Sequence, residues 1–82
     1  MAVTAYLLIQ TEVGKAASVV SAIRAIDGVV SAEAVTGPYD IIVGSEAADI
    51  DALGRMVVSK IQAVDGITRT QTCPVVHLSP SA

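Results

Sequence analysis

Gly37-Pro38-Tyr39-Asp40 gathers four different chemical groups into one short stretch. Gly37 can adopt backbone angles closed to other residues and leave its amide N–H accessible. Pro38 stiffens the turn. Tyr39 brings an aromatic wall and a hydroxyl, and Asp40 a carboxylate able to pair with an ammonium group. Preceded by Val35 and Thr36, such a loop suits a zwitterion, of which a free amino acid is the simplest case. The same residues also fit a plainer description, an ordinary hairpin turn with Tyr39 packing across strands and Asp40 bonding to nearby backbone.

The remaining reactive groups are dispersed. His77 stands alone, with no Cys or second His at ligand spacing, so no metal site is expected. Cys73 has neither an adjacent base nor a helix N-terminus to activate it. Asp27 and Asp65 each precede a glycine in equivalent contexts, and a role that occurs twice points to turn geometry rather than to catalysis. Glu12, Glu33 and Glu46 are expected in solvent. No catalytic residue and no cofactor is expected.

Composition narrows the partners. The 82 residues make one domain, residues 1–78, with 79–82 as a disordered tail. A chain this short buries only about 60–65% of its unfolded surface. Yet 52% of its residues are hydrophobic, with two Tyr and neither Phe nor Trp, so the core is built from small aliphatic side chains. That much apolar surface on so small a body is hard to hide in a monomer, and self-association is the natural outlet. Five basic residues stand against eight acidic ones, for a net charge of -3, and Lys15, Arg24, Arg55, Lys60 and Arg69 are scattered. No electrostatic footprint for phosphates results, so direct nucleic-acid binding is not expected. No apolar run approaches the roughly 20 residues that span a bilayer, and no charged leader precedes the first apolar segment. A soluble cytoplasmic protein without membrane contact is the expectation.

The elements that must position the loop can be read from periodicity. Val3–Thr11 is β-branched and aliphatic, a first strand. From Lys15 to Ile26, Ala16, Val19, Val20, Ile23 and Ile26 form a helical stripe that ends at Gly28. Val29–Val35 and Asp40–Gly44 read as a hairpin around Thr36-Gly37-Pro38. A second helix starts at Asp49 or Asp51 as N-cap and carries Ile50, Leu53, Met56 or Val57, Ile61 and Val64 on one side. Gly54 within it suggests close approach of another backbone. Gly66 closes it, and Ile67–Leu78 is a last strand interrupted by Pro74, which marks an edge or a bulge.

Ser21-Ala-Ile-Arg-Ala-Ile-Asp-Gly-Val29 returns as Ser59-Lys-Ile-Gln-Ala-Val-Asp-Gly-Ile67, an offset of 38 residues. Two helix-Gly-strand halves imply a β-α-β-β-α-β order, an α+β ferredoxin-like sandwich with a four-stranded antiparallel sheet and two helices on one face. Strands one and three are apolar on both sides (Leu7, Leu8, Ile9; Ile41, Ile42, Val43), so the uncovered face is expected to be buried against the sheet of another copy.

Gly-x-Tyr-Asp between strands two and three resembles the effector-binding (RAM) module of the Lrp/AsnC, or feast/famine, transcriptional regulators. The surrounding pattern agrees: Ala-Ile-Asp-Gly-Val before strand two, Asp49-Ile-Asp-Ala-Leu-Gly opening the second helix, and Ile61-Gln-Ala-Val-Asp-Gly-Ile leading into Thr-Arg-Thr. The likeness runs from about Ala5 to Leu78. It implies a module that dimerises sheet to sheet and assembles into rings, commonly octamers, with amino-acid effectors between dimers. Carried over by position, Gly37, Tyr39 and Asp40 with Pro38 look like the effector loop, and Thr70 and Thr72 match polar positions near the crevice. Full-length relatives carry an N-terminal helix-turn-helix, whereas this sequence opens on its first strand, so a stand-alone effector module is expected. Two other functions stay open: a small dimeric α/β-barrel enzyme of monooxygenase or isomerase type, and an interaction module that co-assembles with full-length regulators.

Overall fold

A computed structural model describes residues 2–77. Leu78 and the tail 79–82 lie outside the described residues. The elements are β1 (Val3–Thr11), α1 (Ala16–Arg24), β2 (Val29–Ala34), β3 (Ile41–Ala47), α2 (Ile50–Met56), a π-helical turn (Val57–Ile61) and β4 (Ile67–Pro74). The four strands form one antiparallel sheet in the order β2-β3-β1-β4, and the fold is the expected ferredoxin-like sandwich.

Alternation along β1 sends Ala5, Leu7 and Ile9 toward the helices, and the register of β3 sets Ser45, Val43 and Ile41 directly beside them. Val19, Val20 and Ile23 of α1 and Leu53, Val57 and Ile61 of the second helical segment close over this surface. Ser45 is the one buried polar side chain among the described residues, and its hydroxyl donates to the Ala5 carbonyl at 2.9 Å. Burying it therefore leaves no hydroxyl unsatisfied.

The second helical segment shows how local geometry serves the core. Of the two candidate caps, Asp49 is the one that caps α2, accepting from the Ala52 N–H at 2.7 Å, while Asp51 lies in the first turn. In an ideal α-helix every four-residue step overshoots a full turn by about 40°, so Leu53, Val57 and Ile61 would drift off a common face. The turn after Met56 instead widens: the Gln62 N–H donates to the Val57 carbonyl, five residues back, at 2.9 Å. All three side chains remain buried. Ile50, expected on the same stripe, is 55% exposed.

Both helices end earlier than their glycines suggest. The α1 cap falls at Ala25, and Gly28 lies instead in the turn Ile26–Val29, where the Val29 N–H donates to the Ile26 carbonyl. Gly28 and Gly66 have φ of +96° and +100°, and each passes its carbonyl to the neighbouring strand: Gly28 accepts from the Glu46 N–H and Gly66 from the Glu12 N–H, both at 2.8 Å. The sequence repeat is thus a repeated way of entering the sheet. Pro74 sits on the edge strand β4, where its missing N–H costs the ladder nothing toward solvent.

A Cβ on Gly28 would stand 3.0 Å from the Glu46 carbonyl oxygen, whereas a Cβ on Gly14, at φ +81°, meets nothing. Gly28→Ala should therefore cost about 2–3 kcal/mol and Gly14→Ala about 1 kcal/mol in urea unfolding. Equal costs would contradict the close approach at Gly28.

Candidate functional site

The loop between β2 and β3 is pinned at both ends by backbone. The Val35 N–H donates to the Asp40 carbonyl and the Asp40 N–H to the Ile9 carbonyl, both at 2.9 Å. Between them Gly37 takes φ +145°, with open space where a Cβ would stand, so its backbone is exposed. Three further contacts tie the loop to the sheet. Gln10 Nε2 donates to the Pro38 carbonyl at 2.9 Å. The Tyr39 hydroxyl donates to Gln71 Oε1 at 2.5 Å. Asp40 Oδ2 accepts from the Thr11 N–H at 2.8 Å and, more weakly, from the Thr11 hydroxyl at 3.4 Å.

Each contact has a topological reason. Ladder pairing between β1 and β3 ends at Ile9 and Ile41, so the Thr11 N–H finds no β3 carbonyl opposite it. The Asp40 carboxylate takes that place and keeps a part-buried donor satisfied. Gln71 pairs with Leu8 in register, on the face the helices leave bare, and β1 lies between β3 and β4. Tyr39 therefore reaches over β1 to close its bond.

The structure brings Gly37, Pro38, Tyr39 and Asp40 together, and adds Gln10, Thr11 and Gln71. These last three escape sequence reading because only the β1 register and the β4 alternation place them there. Thr70 and Thr72 pair with Ile9 and Leu7, and so lie on the helical face, opposite to Gln71. Thr72 borders an apolar groove with Ile50, Gly54 and Val58, and the Thr70 hydroxyl is buried without a partner. Asp40 bonds to backbone, though of distant β1 and not of its own turn, through one oxygen, while Oδ1 has no protein partner among the described residues.

The bare face itself is apolar along its middle. Tyr6 is 50% exposed, Ile42 38% exposed, and Leu8 half-buried between them. No helix among the described residues is long and apolar enough to cross a membrane.

The fold defines a ferredoxin-like α+β module. The sequence model of the Lrp/AsnC ligand binding domain matches residues 4–78, and the chain belongs to that family. It is similar to TTHA0845 of Thermus thermophilus, with 28% identity, TM-score 0.88 and coverage of 95% of this chain and 98% of that one. Escherichia coli AsnC shows 29% identity and TM-score 0.87 over 95% of this chain, which spans about half (52%) of AsnC. The transcriptional regulator NMB0573 of Neisseria meningitidis, solved with L-Met, shares the fold alone at 19% identity, with TM-score 0.82 over 92% of this chain and 50% of its own. Among curated proteins, none matches the chain.

Removing the two latches should have unequal effects. Asp40→Ala leaves the Thr11 N–H without an acceptor and should lower unfolding stability by about 2 kcal/mol. Tyr39→Phe loses an exposed bond, should cost under about 1 kcal/mol, and should raise hydrogen exchange at residues 36–39. Unchanged exchange there would show that the Tyr39–Gln71 bond does not hold the loop.

Proposed function

We propose that this protein is a non-catalytic module that binds a small effector, an amino acid, in a crevice beside Gly37–Asp40 and assembles through its open sheet face. In this reading it acts in the regulation of transcription or of amino-acid metabolism without touching DNA. The observation that carries the proposal is the state of Asp40. Its Oδ2 is fixed by Thr11, so Oδ1 is held in one direction with no protein donor among the described residues. A pre-aimed carboxylate beside an exposed glycine backbone offers one acceptor for an ammonium group and N–H donors for a carboxylate. The methionine bound by the Neisseria regulator supports the same ligand class.

The loop is open on its outer side, so the effector's second wall comes from another copy. The apolar strip of Tyr6, Leu8 and Ile42 supplies the first contact, sheet against sheet, and further association of such dimers into a ring, an octamer, completes the crevice. The likeness over half of AsnC favours a compatible second role, co-assembly with full-length regulators.

Calorimetric titration with the twenty amino acids should give heat for a subset. Asp40→Asn, which keeps an oxygen for Thr11 but removes the charge, should abolish that heat while the protein stays folded. No heat from any amino acid would refute the site. Independently, sedimentation should show an oligomer that Tyr6→Lys with Ile42→Lys dissociates. A folded wild-type monomer at micromolar concentration would end the assembly reading.

A further inference from the structure

A cleft of about 610 Å³ lies away from the loop. It opens on the helical side, between the end of α1 and the second helical segment, near the entry to β2 rather than the exit of β1. Its size is within the range of small-ligand sites. Ile26 and Met56 give it an apolar floor, with Arg55 and Lys60 on one wall and Asp27 on the other.

These charges are not neutralised by one another. Among the described residues the one ion pair is Arg24–Glu33, at 3.9 Å, so Arg55, Lys60 and Asp27 border the cleft without protein counter-ions. Arg55 and Lys60 are two of only five basic residues in a chain of net charge -3. Placing both beside one hollow makes a local positive field against the average sign of the molecule. The opposite wall is negative: Asp27 stands just past α1, whose C-terminal end carries partial negative charge. Ser59 donates to the Arg55 carbonyl, which leaves its oxygen as an acceptor. Ser59 and Lys60 also belong to the π-helical turn, a distortion found frequently at functional sites.

We infer that this cleft is a second small-molecule site, and that its ligand is an acidic α-amino acid. Two cations and one carboxylate are the complement of two carboxylates and one ammonium. The guanidinium of Arg55 takes one carboxylate through its planar fork, and the ammonium of Lys60 takes the other as a point charge. Asp27 receives the ligand's ammonium, and the methylene stem lies over Ile26 and Met56. The site lies within one chain and does not depend on the loop crevice or on assembly. The cleft is half-open, so each contact is screened and affinity falls in the millimolar range.

Amide NMR spectra of the full chain, titrated with L-glutamate, test the assignment. Saturable shifts are expected at Asp27 and at residues 55–60. Arg55→Gln and Lys60→Gln should each weaken binding about fivefold, as should replacing L-glutamate by glutarate, which lacks the ammonium group. Asp40→Asn should leave these shifts unchanged, which separates this site from the loop. Absence of saturable shifts at these amides, or equal binding by the Arg55 and Lys60 variants, would overturn the site. Glutarate binding as tightly as L-glutamate would overturn the role given to Asp27, and loss of the shifts in Asp40→Asn would merge the two sites into one.

Discussion

A β-strand offers two faces, and in this protein the middles of β1 and β3 are apolar on both while the two helices cover only one. Leu7 and Val43 are sealed beneath α1 and the second helical segment, but their sequence neighbours Leu8 and Ile42 point the other way, because successive side chains must alternate. Among the described residues no third layer covers the second face. The helical side is therefore a completed core and the open side a surface whose burial requires something from outside. The proposed assembly follows from that imbalance.

The same geometry decides how the β2–β3 loop is held. A hairpin at the end of β2 and β3 would swing freely if nothing held it to the sheet, yet Pro38 is anchored to Gln10 of β1 and Tyr39 to Gln71 of β4, both on the open face. Asp40 is anchored separately, by the N–H that the shorter β3 ladder leaves unpaired at Thr11. The loop is thus preorganised by the sheet's ragged end, and its outward side stays available. Preorganisation of this kind lowers the ordering cost of binding, which matters where a ligand offers few contacts.

The internal repeat has a structural meaning at the level of strand entry. Both Gly28 and Gly66 turn the chain through a positive φ and hand a carbonyl to the adjacent strand, so β2 joins β3 and β4 joins β1 in the same manner. The halves are not identical. The second helical segment is longer and needs a widened turn to keep Ile61 in the core, and that turn brings Ser59 and Lys60 to the cleft beside Asp27. A packing adjustment and a cluster of charges therefore come from the same local event.

Much of this was legible in the sequence, because hydrophobic periodicity and turn residues are local signals. The stripe of Val19, Val20 and Ile23, a cap at Asp49 or Asp51, the strand from Val3 to Thr11 and the doubled helix-Gly-strand plan all follow from spacing alone. The clustering of Gly37, Pro38, Tyr39 and Asp40 is contiguous and needs no fold to be seen. What only the tertiary structure decided is which distant residues meet that loop. Gln71 joins Tyr39, and Thr70 and Thr72 turn away to the helical face, because a strand's register and a single step of alternation determine the side on which each residue falls. Register is a long-range property, fixed by packing between strands far apart in the chain, and so it has no local signature.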